Sequence, residues 1–140
     1  MQQQLTDIQQ IVEDVLKLAK EKGATQAEAS MSKVKGIAVS SRLKEVETVE
    51  FTNDGGLGIT VYKGQRKGSA STADLSPQAL RLTVEKAIEI AKYTGEDDCS
   101  GLADKELMAF EPQDLDLFHP IELDTDFAIE QVIKAETAAL

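Results

Sequence analysis

The chain has one histidine, His119, and it stands among Asp114, Asp116, Glu122, Asp124 and Asp126. Imidazole beside carboxylates is a donor set for a hard or mixed metal ion. The spacing matches no known ligand loop. A calcium loop requires glycine at its sixth position, and a zinc hydrolase helix requires a second histidine nearby. The stretch reads instead as a solvated acidic linker, with His119, just before Pro120, as a turn or docking residue. Two glycine-rich runs, Gly55-Gly56-Leu57-Gly58 and Gly64-Gln65-Arg66-Lys67-Gly68-Ser69, invite comparison with loops whose backbone amides cradle phosphate. The first lies between two expected strands and lacks dinucleotide spacing. The second lacks phosphate-loop spacing and a following helix. Both are expected to be hairpin glycines.

Nucleophilic catalysis needs a serine, threonine or cysteine beside a base and an orienting group. His119 is far along the chain from Ser69 and Ser71, and from Ser40 and Ser41. These serines read as solvent faces of strands. Cys99, the single cysteine, has no neighbour that would lower its pKa. Glu45 and Glu47 form an acid pair, but on an exposed hairpin nothing would desolvate and tune them. No catalytic, cofactor-binding or metal-binding residue is therefore assigned.

The elements around these residues follow from periodicity. Leu5, Ile8, Ile11, Val12, Val15, Leu16 and Ala19 recur at helical spacing and predict a helix from Leu5 to Lys22. Lys20 and Lys22 suit its negative end, and Gly23 suits its closure. Ala27, Ala29 and Met31 then alternate with Glu28, Ser30 and Ser32, and the alternation resumes at Ile37, Val39 and Ser41 after Lys35-Gly36. This predicts two antiparallel strands. A third strand is expected over Val46 to Thr52, ending in a tight turn at Asn53-Asp54-Gly55-Gly56. Leu57, Ile59 and Val61 then face one way and Gly58, Thr60 and Tyr62 the other. After Lys63-Gly64-Gln65, Arg66 to Thr72 predicts a final strand of small residues. A second helix starts at Ser76-Pro77, with Ser76 as cap and Leu75 and Leu80 as a hydrophobic staple. Its buried stripe is Leu80, Val84, Ala87, Ile88 and Ala91, and Gly95 is expected to end it.

The expected fold class is α+β: a helix, an antiparallel meander of four or five strands, and a second helix on the same sheet face. Residues 1–95 form this domain. Residues 96–125, with Pro112, Pro120 and many acidic side chains, read as an extended acidic linker. Residues 126–140 begin a further helix around Ile129, Val132 and Ile133 that has no closing signal, as expected of a fragment. The free, small and polar face of the sheet is expected to meet a partner domain or line a cavity.

Composition narrows the function classes. The 140 residues include 41% hydrophobic and 29% charged side chains, enough to fold around one core. With 4% aromatics and no tryptophan, stacking platforms are scarce. Residues 1–93 hold 13 basic and 12 acidic side chains, while residues 94–140 hold 2 and 13. Neither part offers the basic face that binds nucleic acid or an anionic bilayer. No apolar run approaches the roughly 20 residues of a membrane span, and the N-terminus lacks signal-peptide character. A cytoplasmic, reducing location is the expectation, and one cysteine excludes an internal disulfide.

Val49-Glu50-Phe51-Thr52-Asn53-Asp54-Gly55-Gly56-Leu57-Gly58-Ile59-Thr60-Val61-Tyr62, then Arg66-Lys67-Gly68-Ser69-Ala70-Ser71-Thr72 and Asp74-Leu75-Ser76, resemble the N-terminal domain of the TldD/PmbA family, once named modulator of DNA gyrase. The likeness continues through Ile90-Ala91-Lys92-Tyr93-Thr94, Leu102-Ala103-Asp104-Lys105-Glu106-Leu107 and Asp114-Leu115-Asp116-Leu117-Phe118-His119-Pro120. The resemblance implies a subunit of a bacterial cytoplasmic metallopeptidase complex that cleaves unstructured peptides in an enclosed cavity. In that family two kinds of subunit pair, and the TldD-type carries a His-Glu-x-x-x-His zinc motif. This sequence looks like the other kind, and no such motif occurs in it. Zinc is thus expected only in the TldD-type partner, and no site residue carries over. This segment would shape access to the chamber or contact the partner subunit. The alternatives are a stand-alone adaptor and a small enzyme using Cys99 or the acidic tail.

Overall fold

A computed structural model describes residues 2–122 and 124–140, and within the first helix it describes side chains from Thr6 onward. The elements run α1 (Gln2–Glu21), β1 (Gln26–Arg42), β2 (Glu45–Lys63), β3 (Arg66–Thr72), α2 (Pro77–Tyr93), a short 3-10 turn (Lys105–Leu107) and α3 (Thr125–Ala139). The class is α+β as expected. The chain divides into two compact units, residues 1–32 with 55–109 and residues 33–54 with 110–140.

In the first unit, α1 closes at Gly23, whose φ of 96° is open to glycine at little cost. The Gly23 amide donates to the Lys20 carbonyl and the Ala24 amide to that of Ala19. Val15 and Ala19 from the predicted apolar face are buried; the side chain of Leu5 lies outside the described residues. The start of α2 is set by the predicted cap, Ser76, whose side chain accepts from the Ala79 amide. Leu75 and Leu80 both pack on the core. Its end differs from expectation. Thr94, not Gly95, is the closing residue: its backbone is extended, and its amide and hydroxyl both donate to the Ile90 carbonyl.

The sheet has three strands in the order β1-β2-β3, fewer than the four or five expected from alternation. The two runs placed on either side of Lys35-Gly36 are one strand, and so are the two placed on either side of Asn53-Asp54-Gly55-Gly56. None of those four turn-type residues takes a positive φ, so the glycines of 55–58 are strand residues and not the hairpin glycines expected. Pairing explains this. Leu57 to Lys63 run antiparallel beside Thr72 to Arg66, Leu57 opposite Thr72 and Lys63 opposite Arg66. The first half of β2 runs beside β1, where Gly36 lies against Thr52 and the Ser40 and Thr48 hydroxyls are 2.6 Å apart. Ladders on both sides hold the glycines extended. The β1–β2 turn falls at Leu43-Lys44, where nothing in the sequence marks it. Gly64, at φ 62°, does occupy the β2–β3 turn.

The core lies between one sheet face and the two helices. Leu57, Ile59 and Val61 from β2 meet Val84, Ala87, Ile88 and Ala91 from α2 and Val15 and Ala19 from α1. Every buried hydrophobic side chain among the described residues belongs to the first unit. The Lys22 ammonium, 2.7 Å from the Glu85 carboxylate, ties the end of α1 to α2.

The closest approach is at Gly68. A β-carbon there would lie within 3 Å of the Ala87 carbonyl oxygen and the Ala91 amide nitrogen. Both are helix backbone and cannot swing aside. Gly68→Ala should therefore push α2 off β3 and destabilise the first unit by about 3 kcal/mol, read as a lowered denaturant midpoint. An alanine variant as stable as the parent would show that α2 does not pack this tightly.

Candidate functional site

The alternation along the strands that buries Leu57, Ile59 and Val61 turns a second set of side chains to the opposite face of the first unit's sheet. Ser30, Gly58, Thr60, Ser69 and Ser71 line two adjoining shallow depressions of about 460 Å³ each. Few of these side chains exceed a hydroxymethyl group, because bulk is concentrated on the core face. Two of the hydroxyls pair: Thr60 and Ser69, cross-strand partners, have oxygens 3.0 Å apart. At one margin the Tyr62 hydroxyl donates to Glu28 over 3.4 Å. Burial, and then the nearby Glu28 charge, holds the Tyr62 phenol above its usual pKa. The face carries hydroxyls, with the Glu28 carboxylate at its margin. Its small side chains allow close backbone approach and its hydroxyls can form hydrogen bonds.

The second unit has a different centre. Leu43 and Lys44 turn the β1–β2 hairpin at φ 55° and 66°. This left-handed region costs a non-glycine residue roughly 1–2 kcal/mol. Glu136 of α3 braces it. Its carboxylate accepts from the Leu43 amide at 2.7 Å, the Lys44 amide at 3.0 Å and the Ser41 hydroxyl at 2.8 Å. The Ser41 bond leads the causes that hold the Glu136 pKa below its ordinary value, with the two amides adding to it. Periodicity could not find this group, since the partners are more than ninety residues apart and a glutamate on a helix looks solvated.

The residues weighed from sequence are not brought together. Asp114 accepts from the Asp116 amide, and Asp124 caps α3 by accepting from the Asp126 and Phe127 amides. His119 is 2.6 Å from the Asp116 carbonyl oxygen. Among the described residues no group of three or more histidine, cysteine or acidic side chains is arranged to hold a metal ion. Cys99 is exposed, its amide donating to Asp97. Ser40 pairs with Thr48, Ser41 with Glu136, and Glu45 and Glu47 are exposed.

Residues 27–91 match the family model described as PmbA/TldA metallopeptidase domain 1. The chain carries the first domain of the PmbA/TldD family. Curated relatives agree. Metalloprotease PmbA of Escherichia coli O157:H7 is 56% identical over 95% of this chain, and the metalloprotease PmbA homolog of Haemophilus influenzae is 54% identical over 96%. The chain spans only 29% and 30% of those two proteins. The fold is that of TldE from Thermococcus kodakarensis, with a TM-score of 0.72 at 21% identity over 92% of this chain and 29% of that one. A putative modulator of DNA gyrase from Bacteroides thetaiotaomicron shares it, with a TM-score of 0.67 at 20% identity over 76% of this chain and 24% of the other. The matched residues span β1, β2, β3 and most of α2.

The Glu136 brace has a pH signature. Because the Glu136 pKa is depressed in the folded state, its contribution is complete above the ordinary carboxylate pKa and is lost as pH falls through the folded value. In an NMR titration the Leu43 and Lys44 amides should move together, at a pH below the usual glutamate midpoint. Glu136→Gln should abolish that transition and speed hydrogen exchange at both amides. Two amides that titrate separately, or not at all, would mean the carboxylate does not hold the turn.

Proposed function

We propose that this chain is the N-terminal domain of a PmbA-type subunit that works with a TldD-type subunit in the proteolysis of unstructured peptides. The domain itself is non-catalytic, and it contacts the partner or shapes access to the peptide chamber. The observation that carries this reading is the 54–56% identity to metalloproteases named PmbA over nearly the whole chain, joined to the presence of only one histidine. In this reading the two-histidine zinc ligation lies outside this domain. Zinc belongs to the TldD-type subunit in this scheme, and peptides reach it there.

The structure supports a contact role through chemistry. A sheet face of serine, threonine and glycine lets a neighbouring backbone come close, and its hydroxyls can exchange their mutual hydrogen bonds for intermolecular ones at small net cost. Among the described residues no helix is long and apolar enough to cross a membrane. A cytoplasmic setting fits this reading, as does the charge balance, which disfavours direct nucleic-acid binding.

Reconstitution tests the proposal. Mixed with a TldD-type subunit, the protein should co-elute with it in size-exclusion chromatography. Cleavage of an unfolded peptide should require the TldD-type subunit and stop on zinc chelation. Peptide cleavage by this protein alone, or separate elution at micromolar concentrations, would reject the assignment.

A further inference from the structure

Two features of the second unit are unfavourable when taken separately. Leu43 and Lys44 turn the hairpin in the left-handed region, at φ 55° and 66°, where a side chain crowds its own backbone. Glu136 lies in the last turn of α3, which holds no basic residue, and a negative charge there opposes the helix dipole. Each fault is relieved by the other. The Leu43 and Lys44 amides donate to the Glu136 carboxylate at 2.7 and 3.0 Å, and the Ser41 hydroxyl adds a third bond at 2.8 Å. The tip supplies donors for a charge that the helix end cannot accommodate, and the helix end supplies the acceptor for amides that the turn leaves bare.

Little else holds the two together. No described residue of the second unit is buried, and its apolar side chains Ile37, Val39, Ile129, Val132 and Ile133 are only half-buried. Among the described residues, Glu136 makes every hydrogen bond that joins α3 to the hairpin. Segments with few buried apolar contacts open at lower free energy than a core, and they open as contiguous cooperative pieces. We propose that Glu136 is a latch that makes residues 33–54 and α3 one such piece, opening and closing together while the layer around Val84 and Ala91 stays folded. The hairpin tip is then controlled from α3. Unwinding the last turn of that helix frees the tip, and freeing the tip loosens the turn, because coupling of this kind is reciprocal. The latch is independent of the subunit pairing proposed above.

Hydrogen exchange followed by NMR, under conditions where it reports the population of the open form, tests the latch with two substitutions. Glu136→Ala removes the acceptor, yet it places a better helix former in α3 and takes away the misplaced charge. Left to itself, α3 would gain from this change. The latch requires the opposite: exchange faster by roughly tenfold to a hundredfold through both residues 33–54 and α3, and unchanged in residues 57–63 and 84–91. Leu43→Asn eases the left-handed turn without altering α3, and it should slow exchange in α3 by roughly threefold to tenfold. If Glu136→Ala sped exchange only at the Leu43 and Lys44 amides, or left α3 unchanged or slower, the carboxylate would be a local brace and the latch would be overturned. Acceleration that reached residues 84–91 would overturn it as well, since the opening would then be global. So would a Leu43→Asn effect that stopped at the tip, or α3 amides that exchange in the parent as fast as an unstructured chain.

Discussion

The first unit depends on how closely a helix can lie on a strand. At Gly68 the α2 backbone comes to where a side chain would otherwise be. That approach lets Ala87 and Ala91, both fully buried, serve as core residues despite their size. A layer built from alanine, valine and isoleucine has little reach, so it can be close-packed only if the helix is drawn in. The rest follows from this contact: α2 is brought down on Ile59 and Val61, α1 fills the remaining space with Val15 and Ala19, and the Lys22–Glu85 pair closes the edge of the helical layer. A core with so few aromatics is possible because of that one missing methyl group.

Much of this was legible in the sequence. Helical spacing located the apolar face of α1, Ser76-Pro77 located the start of α2, and strand alternation separated Leu57, Ile59 and Val61 from Gly58, Thr60 and Tyr62. These are local signals, decided by residues within a turn or two. The strand count was not local. Asn53-Asp54-Gly55-Gly56 has turn composition, yet it is extended because neighbouring strands pair along β2, and such partners leave no mark on the residues themselves. The converse error has the same cause. Leu43-Lys44 has no turn composition and is nonetheless the turn, since the stabilising group comes from α3.

The candidate surfaces were legible to a similar degree. A small, polar sheet face followed directly from alternation, and the structure places Ser30, Thr60, Ser69 and Ser71 on it. Within the acidic stretch, Asp114 and Asp124 accept from nearby backbone amides, a use that their composition alone does not announce. Gly68 was visible only as a small residue in a strand of small residues. Its role depends on a helix that packs across that strand, which composition cannot reveal.

The Glu136 brace also sets an order of events. The Leu43 amide and its acceptor are 93 residues apart, and the turn between them has no intrinsic preference for closing. During synthesis the β1–β2 hairpin emerges from the ribosome well before α3. Until α3 has been made, the tip has the β1–β2 ladder beside it but not the Glu136 carboxylate on its turn amides. The full set of hydrogen bonds at the tip is thus complete only once residues as far as α3 have been translated and folded.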